Sequence, residues 1–282
     1  EWKDRNDSDV LPIPHPPAEA MYPFDFSAVD YDDELAPLVE VYSQWGSSEM
    51  PRAEGNPKPV EMGQGEMGTP GHYIQDAHEL GYRVGLVGSS DFHAPRPGRS
   101  HIHLPPHFPS LADIWQDGVG WGHIWRIWEE GSYPGGLTGF FAPELTREAV
   151  FESLRSRSVY ATSQPHRILV QFSVDGTAVG DDDSTVTADG PREISYRVAG
   201  TAPIDRVTVV KNNDNWHLDH GTSDPAAGLS TYTRSGDVTD DTPVTGMAWD
   251  EERGSAADVY YLRVEQADDG MAWAGPVWAE PA

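Results

Sequence analysis

The chain has 282 residues, enough for one large domain or two ordinary ones, and its 38% hydrophobic content with ten tryptophans supports a buried core. Its 46 acidic side chains outnumber 19 basic ones, which gives a formal net charge of −27. Such a surface repels nucleic acid and anionic membranes, so we expect neither as a partner. There is no cysteine, so disulfides and thiolate ligands are excluded and any metal must be held by His, Asp or Glu.

The charge balance reflects a shortage of cations, because the chain has only three lysines: Lys3, Lys58 and Lys211. This composition favours a protein from a salt-accumulating halophile over an ordinary acidic protein, since molar salt shortens the Debye length to about 3 Å. No apolar run approaches the roughly 20 residues needed to span a bilayer, and no signal peptide is visible. The localisation is left open, with the cytoplasm favoured.

Two apolar runs early in the chain deliver ionisable groups. Residues 10–17 end in His15 followed by prolines, which forbid a helix and favour an ordered turn. Residues 38–42 are strand-like, with Glu40 in the middle and Glu49 in the following loop. Either glutamate could be a metal ligand or an acceptor behind one, and a surface position is equally open for Glu49.

A third run, residues 85–88, predicts a buried strand that ends in Asp91 and His93. A predicted helix over residues 72–80, closed by Gly81, leads into it. The carboxyl ends of strands in α/β folds are where chemistry is placed, and residues two apart on extended backbone point to the same face. The Asp-x-His pair therefore suggests a metal site, and the alternative is a capping Asp beside a His that only packs.

The long segment over residues 95–136 is rich in Pro, Gly, Trp and His without a clean period, which is typical of a loop that covers a site. Arg96 is suited to capture of phosphate or carboxylate, with neutralisation of nearby acids as the alternative. His101 and His103 fit a polar loop edge better than a metal site. A set of tryptophans at near-helical spacing favours a core or lid over a sugar platform: Trp115, Trp121, Trp125 and Trp128.

The second half changes character. Thr146 predicts the N-cap of a helix through Arg157, followed by a strand at residues 159–162. From about residue 166, apolar and polar residues alternate between turn signals, which predicts an antiparallel sandwich of about 115 residues. We therefore expect two domains, residues 1–165 and residues 166–282.

Several ordered motifs together resemble the DUF3604 family, which is related to the polymerase and histidinol phosphatase (PHP) superfamily. The similarity covers nearly the whole chain. The motifs are residues 13–17 (IPHPP), 39–49 (VEVYSQWGSSE), 88–93 (GSSDFH) with 96–98 (RPG), 135–138 (GGLT), 144–148 (ELTRE), 159–162 (VYAT), 263–266 (RVEQ), 271–273 (MAW) and 276–278 (PVW).

The resemblance implies the C-terminal part of a PHP-like distorted β/α barrel, followed by a β-sandwich-like domain. It also implies two or three divalent metal ions, zinc, manganese or iron, with His15, Asp91 and His93 as ligands. The chain departs from the pattern, because nothing ahead of His15 supplies the opening His-x-His of PHP proteins. Pro16 and Trp45 stand where histidine is expected. The missing ligands would belong to an N-terminal half that this chain lacks.

These features predict a metal-dependent hydrolase, with a PHP-type phosphoesterase as the favoured activity of the full-length protein. Asp91, His93 and Arg96 are the predicted catalytic residues, and the expected partner is a small-molecule substrate, with a phosphoester as the favoured class. Clustered metals would activate a bridging water and stabilise the phosphoryl oxygens. One rival is a hydrolase of other bonds. The other is a non-catalytic binding or structural protein with an incomplete barrel.

Overall fold

A computed structural model describes residues 9–61, 63–91, 133–163, 166–221, 225–247 and 256–282. Within these ranges the α-helices are α1 (Ile74–Glu79) and α2 (Arg147–Arg155). The strands are β1 (Leu38–Ser43), β2 (Gly46–Ser47), β3 (Gly85–Gly88), β4 (Gly136–Phe140), β5 (Val159–Ser163), β6 (Leu169–Val174), β7 (Thr177–Ala178), β8 (Thr185–Ala188), β9 (Arg192–Ala199), β10 (Ile204–Lys211), β11 (Asp214–His220), β12 (Thr233–Asp240), β13 (Asp258–Gln266) and β14 (Met271–Pro281).

The predicted fold class is wrong. A β/α barrel needs a helix after each of several parallel strands, whereas two α-helices occur in the described ranges and most strand pairs are antiparallel. Only the pairs β1–β3 and β8–β14 run parallel among the strands described. The apolar runs of the first half were interpreted as barrel strands, but short runs do not specify which neighbour they pair with. The chain forms a mostly β structure.

The strands form three sheets: β2-β1-β3, β12-β9-β6-β7, and a seven-stranded sheet in the order β11-β10-β13-β14-β5-β4 with β8 also paired to β14. The four-stranded and seven-stranded sheets share one apolar core. The predicted domain boundary falls between β5 and β6, which lie in different sheets, but β4 and β5 belong to the same sheet as β10, β11, β13 and β14. The division into two domains stays a prediction.

Several local predictions are confirmed. Helix α1 ends before Gly81, whose φ of +85° requires the left-handed region that glycine adopts freely. The Thr146 hydroxyl accepts a hydrogen bond from the Ala149 amide, so Thr146 is the N-cap of α2. The alternation along β6 buries Val170, Phe172 and Val174 against the facing sheet. No helix within the described residues is long and apolar enough to cross a membrane.

A buried ion cluster lies in the β-rich core and is called here the core ion cluster: Arg192, Lys211, Asp240, Asp258 and Tyr260. Arg192 Nη2 is 3.0 Å from Asp240 Oδ2, and Lys211 Nζ is 2.6 Å from the same oxygen. Both cations also lie within 3.5 Å of Asp258 Oδ2. Burial alone would raise the pKa of Asp240, but hydrogen bonds from Lys211 and other donors hold it well below its usual range.

Candidate functional site

Two parallel strands bring the candidate site together. β1 pairs with β3 with Glu40 opposite Val87, so both strands end at the same edge of their sheet. Glu40 lies within β1, and Asp91 follows the end of β3. His15 comes from an extended segment beside β1, where the Glu40 amide donates to the Pro14 carbonyl at 3.2 Å. Residues 10–15 form no regular strand, because their prolines lack the donors that a ladder requires.

The His15 ring lies between two carboxylates. Its Nδ1 is 2.6 Å from Glu40 Oε2, and its Nε2 is 3.2 Å from Asp91 Oδ1. Burial by itself would lower the pKa of His15, but the charges and hydrogen bonds of Glu40 and Asp91 outweigh it and raise the pKa to about 10. The ring is therefore an imidazolium at neutral pH. We call these three side chains the His15 cluster.

Asp91 is held by two donors and by an unusual backbone conformation. The Trp45 indole N–H donates to Asp91 Oδ2, and the Gln44 amide donates to the Asp91 carbonyl at 2.9 Å. The φ of Asp91 is +49°, in the left-handed region that few residues other than glycine adopt.

Glu40 has acceptor capacity that the described residues leave unused. Its Oε2 contacts His15 and accepts a hydrogen bond from the Ser89 hydroxyl. Its Oε1 is buried, and the described part of the chain offers it no hydrogen-bond partner; the same is true of Gln44 Oε1. Leaving a buried acceptor unpaired costs about 1–3 kcal/mol. These oxygens are therefore open positions for a bound cation or donor.

A cavity of about 270 Å³ lies against the His15 cluster. Its remaining polar lining comes from Ser89 and Thr138, and its apolar lining comes from Ile13, Val87 and Leu154. Gly88 also lines the cavity, and a Cβ atom at this position would come within 2.7 Å of the Leu137 carbonyl. Glycine at this position lets β4 approach the end of β3.

The described residues do not complete a metal centre by themselves. Within them, no group of three or more His, Asp or Glu side chains is placed to hold one ion. The His15 ring explains this, because its two nitrogens point in divergent directions and each faces a different carboxylate. One ion could take the ring together with Glu40 or together with Asp91.

The structure brings His15 and Asp91 together, as predicted. The other predicted site residues, His93 and Arg96, lie outside the described residues, and so do His101, His103 and the tryptophans at 115, 121, 125 and 128. Trp45 stands where the family resemblance predicts histidine, and here its indole holds Asp91. The sequence feature that could have identified Trp45 is its position two residues after the end of β1.

Glu49, one of the two open candidates, is not part of the site. Its carboxylate is fully buried and is bound by Arg263 Nη1 at 2.6 Å, by the Tyr261 hydroxyl at 2.7 Å and by the Trp273 indole at 2.6 Å. These partners lie on β13 and β14, so no local sequence signal identifies them. Glu49 connects the β1–β2 region to the seven-stranded sheet.

Comparisons with known proteins agree with part of the resemblance. Residues 73–192 match the family described as "Protein of unknown function (DUF3604)", a range that includes Asp91 but neither His15 nor Glu40. The chain is 28% identical over 282 residues to an uncharacterized protein of Chlamydia trachomatis and 29% identical over 285 residues to one of Chlamydia pneumoniae. Each alignment covers 99% of this chain, which spans 40% of the length of these relatives.

Proposed function

We propose that this chain contributes to a metal-dependent hydrolase, most specifically a phosphoesterase of PHP type. The observation that carries the proposal is the His15 cluster: one imidazole between two carboxylates, beside a cavity, with Glu40 in the middle of β1 and Asp91 after the end of β3. Carboxylate oxygens and imidazole nitrogen are the donors that zinc, manganese and iron accept. The unpaired Glu40 Oε1 supports the same assignment.

The donor atoms are of the types that bind divalent ions, but there are too few of them to complete a metal centre. His15 with Glu40, or His15 with Asp91, would supply two ligands, so the proposal requires further donors outside the described residues, with His93 as the named candidate. When bound, such an ion lowers the pKa of a coordinated water and neutralises charge on the phosphoryl oxygens. The contacts described for the proposed ligands come from an imidazole, an indole, an amide and a hydroxyl, whereas Arg192 and Lys211 neutralise the core ion cluster.

The chain itself would orient the ligands and limit access of water. Trp45 and Gln44 fix Asp91, and the Ser89 hydroxyl fixes Glu40, as outer-shell donors do in metal sites. His15 would give up one ring proton to bind metal, since only the neutral imidazole nitrogen is a ligand. The apolar wall of Ile13, Val87 and Leu154 would lower the local dielectric beside the reacting groups.

Metal content and hydrolysis test the proposal together. Zinc, manganese and iron are measured in the purified chain, and hydrolysis of a generic phosphomonoester is followed with each metal added. His15→Gln, Glu40→Gln and Asp91→Asn should each lower metal affinity at least 10-fold and lower the rate with it. Glu61→Gln, an exposed glutamate in a surface pair with Arg52, is the control. Unchanged metal binding in all three site variants would contradict the proposal.

Because the relatives are much longer than this chain, we also consider where the remaining ligands lie. We propose that ligands completing the centre lie in an N-terminal half of a longer protein, so the present chain should be weakly active and a version with the upstream half active. Losing residues that bind the metal directly should cost more than the 10-fold or greater loss typical of residues that only hold those ligands in place. Equal metal stoichiometry and turnover in the two versions would refute this arm.

A non-catalytic binding or structural role is the second candidate. It is favoured by one observation: the described residues hold no three-ligand group. Under this alternative, the His15 cluster is an ion pair network and the purified protein contains no stoichiometric metal. Elemental analysis of the longer version separates the two functions, because only the hydrolase requires bound metal.

A further inference from the structure

Lys58 has no carboxylate partner within the part of the chain that the structure describes. Its Nζ lies 5.2 Å from the centre of the Tyr133 ring, and no ion pair within 4.0 Å joins it to a described acid. Lys211, the other lysine in the described ranges, is 2.6 Å from Asp240 and 3.2 Å from Asp258. A lysine acts as a nucleophile through a free nitrogen lone pair, so of these two amines Lys58 is the one open to chemistry.

A cavity of about 390 Å³ is lined by Lys58. Its apolar lining includes Met271, and its acidic lining comes from Asp205, Glu265 and Asp269. This volume falls within the range of small-molecule sites. Lys58 therefore borders a space, separate from the cavity at the His15 cluster, that is large enough for a small molecule.

The backbone of Lys58 is held on both sides. Its N–H donates to Asn56 Oδ1 at 3.0 Å, and its carbonyl accepts from the Ser47 amide at 2.7 Å. Asn56 is itself buried, and its side-chain amide donates to the Ser47 and Met50 carbonyls at 2.9 Å and 2.6 Å. The Lys58 side chain therefore starts from a fixed point beside the cavity, and fixed placement is what a reacting group requires.

The surroundings of Lys58 favour the neutral amine more than water does. Its side chain is half-buried, and burial lowers the pKa of Lys58, although the charges of Asp269, Asp268 and Glu265 oppose this effect. Glu265 is partly neutralised, because Arg206 donates to its two oxygens at 3.0 Å and 2.7 Å. A lower pKa leaves more of the amine unprotonated at neutral pH, and only the unprotonated amine attacks an electrophile.

We propose that Lys58 is a reactive amine that forms an imine with an aldehyde or ketone held in this cavity. The nitrogen adds to the carbonyl carbon and loses a proton, while the carbonyl oxygen gains one to give a carbinolamine. Loss of that oxygen as water leaves the C=N bond, so the step needs no oxidant or reductant. The acidic lining repels anions, so the carbonyl compound carries no negative charge. This inference is independent of the proposed hydrolase function.

Reductive trapping tests the amine. The purified chain is treated with propanal and cyanoborohydride at pH 7, which reduces an imine to a stable secondary amine, and peptide mass spectrometry locates the label. Arg155→Lys supplies the matched control, because position 155 is exposed and has no ion pair among the described residues. Lys58 should be labelled several times faster than the lysine at 155, and Lys58→Arg should lose this label. Equal rates, or no label at Lys58, would overturn the proposal.

The concentration dependence and the charge of the aldehyde test the cavity. Labelling of Lys58 should saturate with propanal concentration, whereas labelling at position 155 should rise linearly. Glyoxylate, an anionic aldehyde, should label Lys58 poorly relative to position 155. Asp205→Asn and Asp269→Asn, both at exposed positions of the lining, should raise glyoxylate labelling at Lys58 only. Melting temperatures verify folding. Linear labelling at both positions overturns the binding cavity, and glyoxylate labelling that neither variant changes overturns the proposed charge selection.

Discussion

Two clusters of acids in this molecule differ in how fully their charge is compensated. In the core ion cluster, two carboxylates face Arg192 and Lys211, and the Tyr260 hydroxyl donates to Asp240 at 2.6 Å. Asp258 Oδ1 also accepts from the Asn212 amide at 2.8 Å. In the His15 cluster, two carboxylates face one imidazolium, and one glutamate oxygen has no partner among the described residues.

The difference separates structural acids from candidate functional ones. A buried carboxylate is tolerated when cations and donors satisfy it, and a satisfied cluster has no capacity left for a ligand. The His15 cluster borders a cavity and retains an open acceptor, so it has such capacity. Acidic residue count alone does not distinguish the two, since each cluster has two carboxylates.

The largest expected effect is in the core ion cluster. Arg192→Met should lower the free energy of unfolding by about 3–5 kcal/mol, because it leaves two buried carboxylates with a single cation. Urea denaturation at neutral pH measures this change. Arg52→Met, which breaks an exposed pair with Glu61, should cost no more than about 1 kcal/mol. Similar losses in the two variants would contradict the structural role assigned to the cluster.

A buried histidine without a carboxylate partner provides the contrast to His15. His78 is fully buried and burial lowers its pKa to about 4, whereas His15 has a raised pKa. The folded state therefore binds fewer protons at His78 than the unfolded state, whose pKa is about 6.5. Stability should be full above pH 6.5 and should fall by about 3 kcal/mol toward pH 4.

The His78 contribution is isolated by comparing wild type with His78→Gln in denaturant titrations from pH 8 to pH 4. The difference in unfolding free energy between the two proteins should shrink as the pH falls, since only wild type carries the buried imidazole. A difference that is constant over this range would show that the ring titrates alike in the folded and unfolded states.

Asp91→Asn should affect metal binding more than folding stability. Without metal, the substitution removes one ion pair with His15 but also relieves repulsion between two carboxylates, so we expect a stability change below about 1 kcal/mol. Metal affinity should fall at least 10-fold. Thermal melting and calorimetric titration with manganese measure the two quantities. A large loss of stability with unchanged metal affinity would assign Asp91 to the structural class of acids.

The dependence of folding stability on salt concentration is the smallest expected effect, and it tests the halophile prediction. With a net charge of −27, the folded chain repels itself, and potassium chloride screens this repulsion. Raising salt from low to molar concentration should add about 1 kcal/mol, or roughly 2–4 °C in melting temperature for a chain of this size. A midpoint that stays constant or falls would remove the halophile prediction without bearing on the His15 cluster.

Local patterns predicted part of the site and part of the fold. The end of β3, the N-cap at Thr146 and the proximity of His15 to Asp91 followed from apolar runs, capping chemistry and motif order. The sequence left Glu40 and Glu49 as two possible metal ligands without deciding between them, because a residue within a strand can face either side. The pairing that joins Glu49 to Arg263 spans 214 positions, and no local pattern encodes it.

The sequence by itself determined the charge, the absence of thiolate ligands, the alternating period of β6 and β9 and the residue types available for a site. Tertiary structure decided which strands are neighbours, and so replaced the predicted barrel with mainly antiparallel sheets. It also decided that Glu49 is neutralised by Arg263 while Glu40 retains an open oxygen. The physical reason is that burial and charge compensation depend on contacts between distant residues, whereas local periodicity records only which face of an element is apolar.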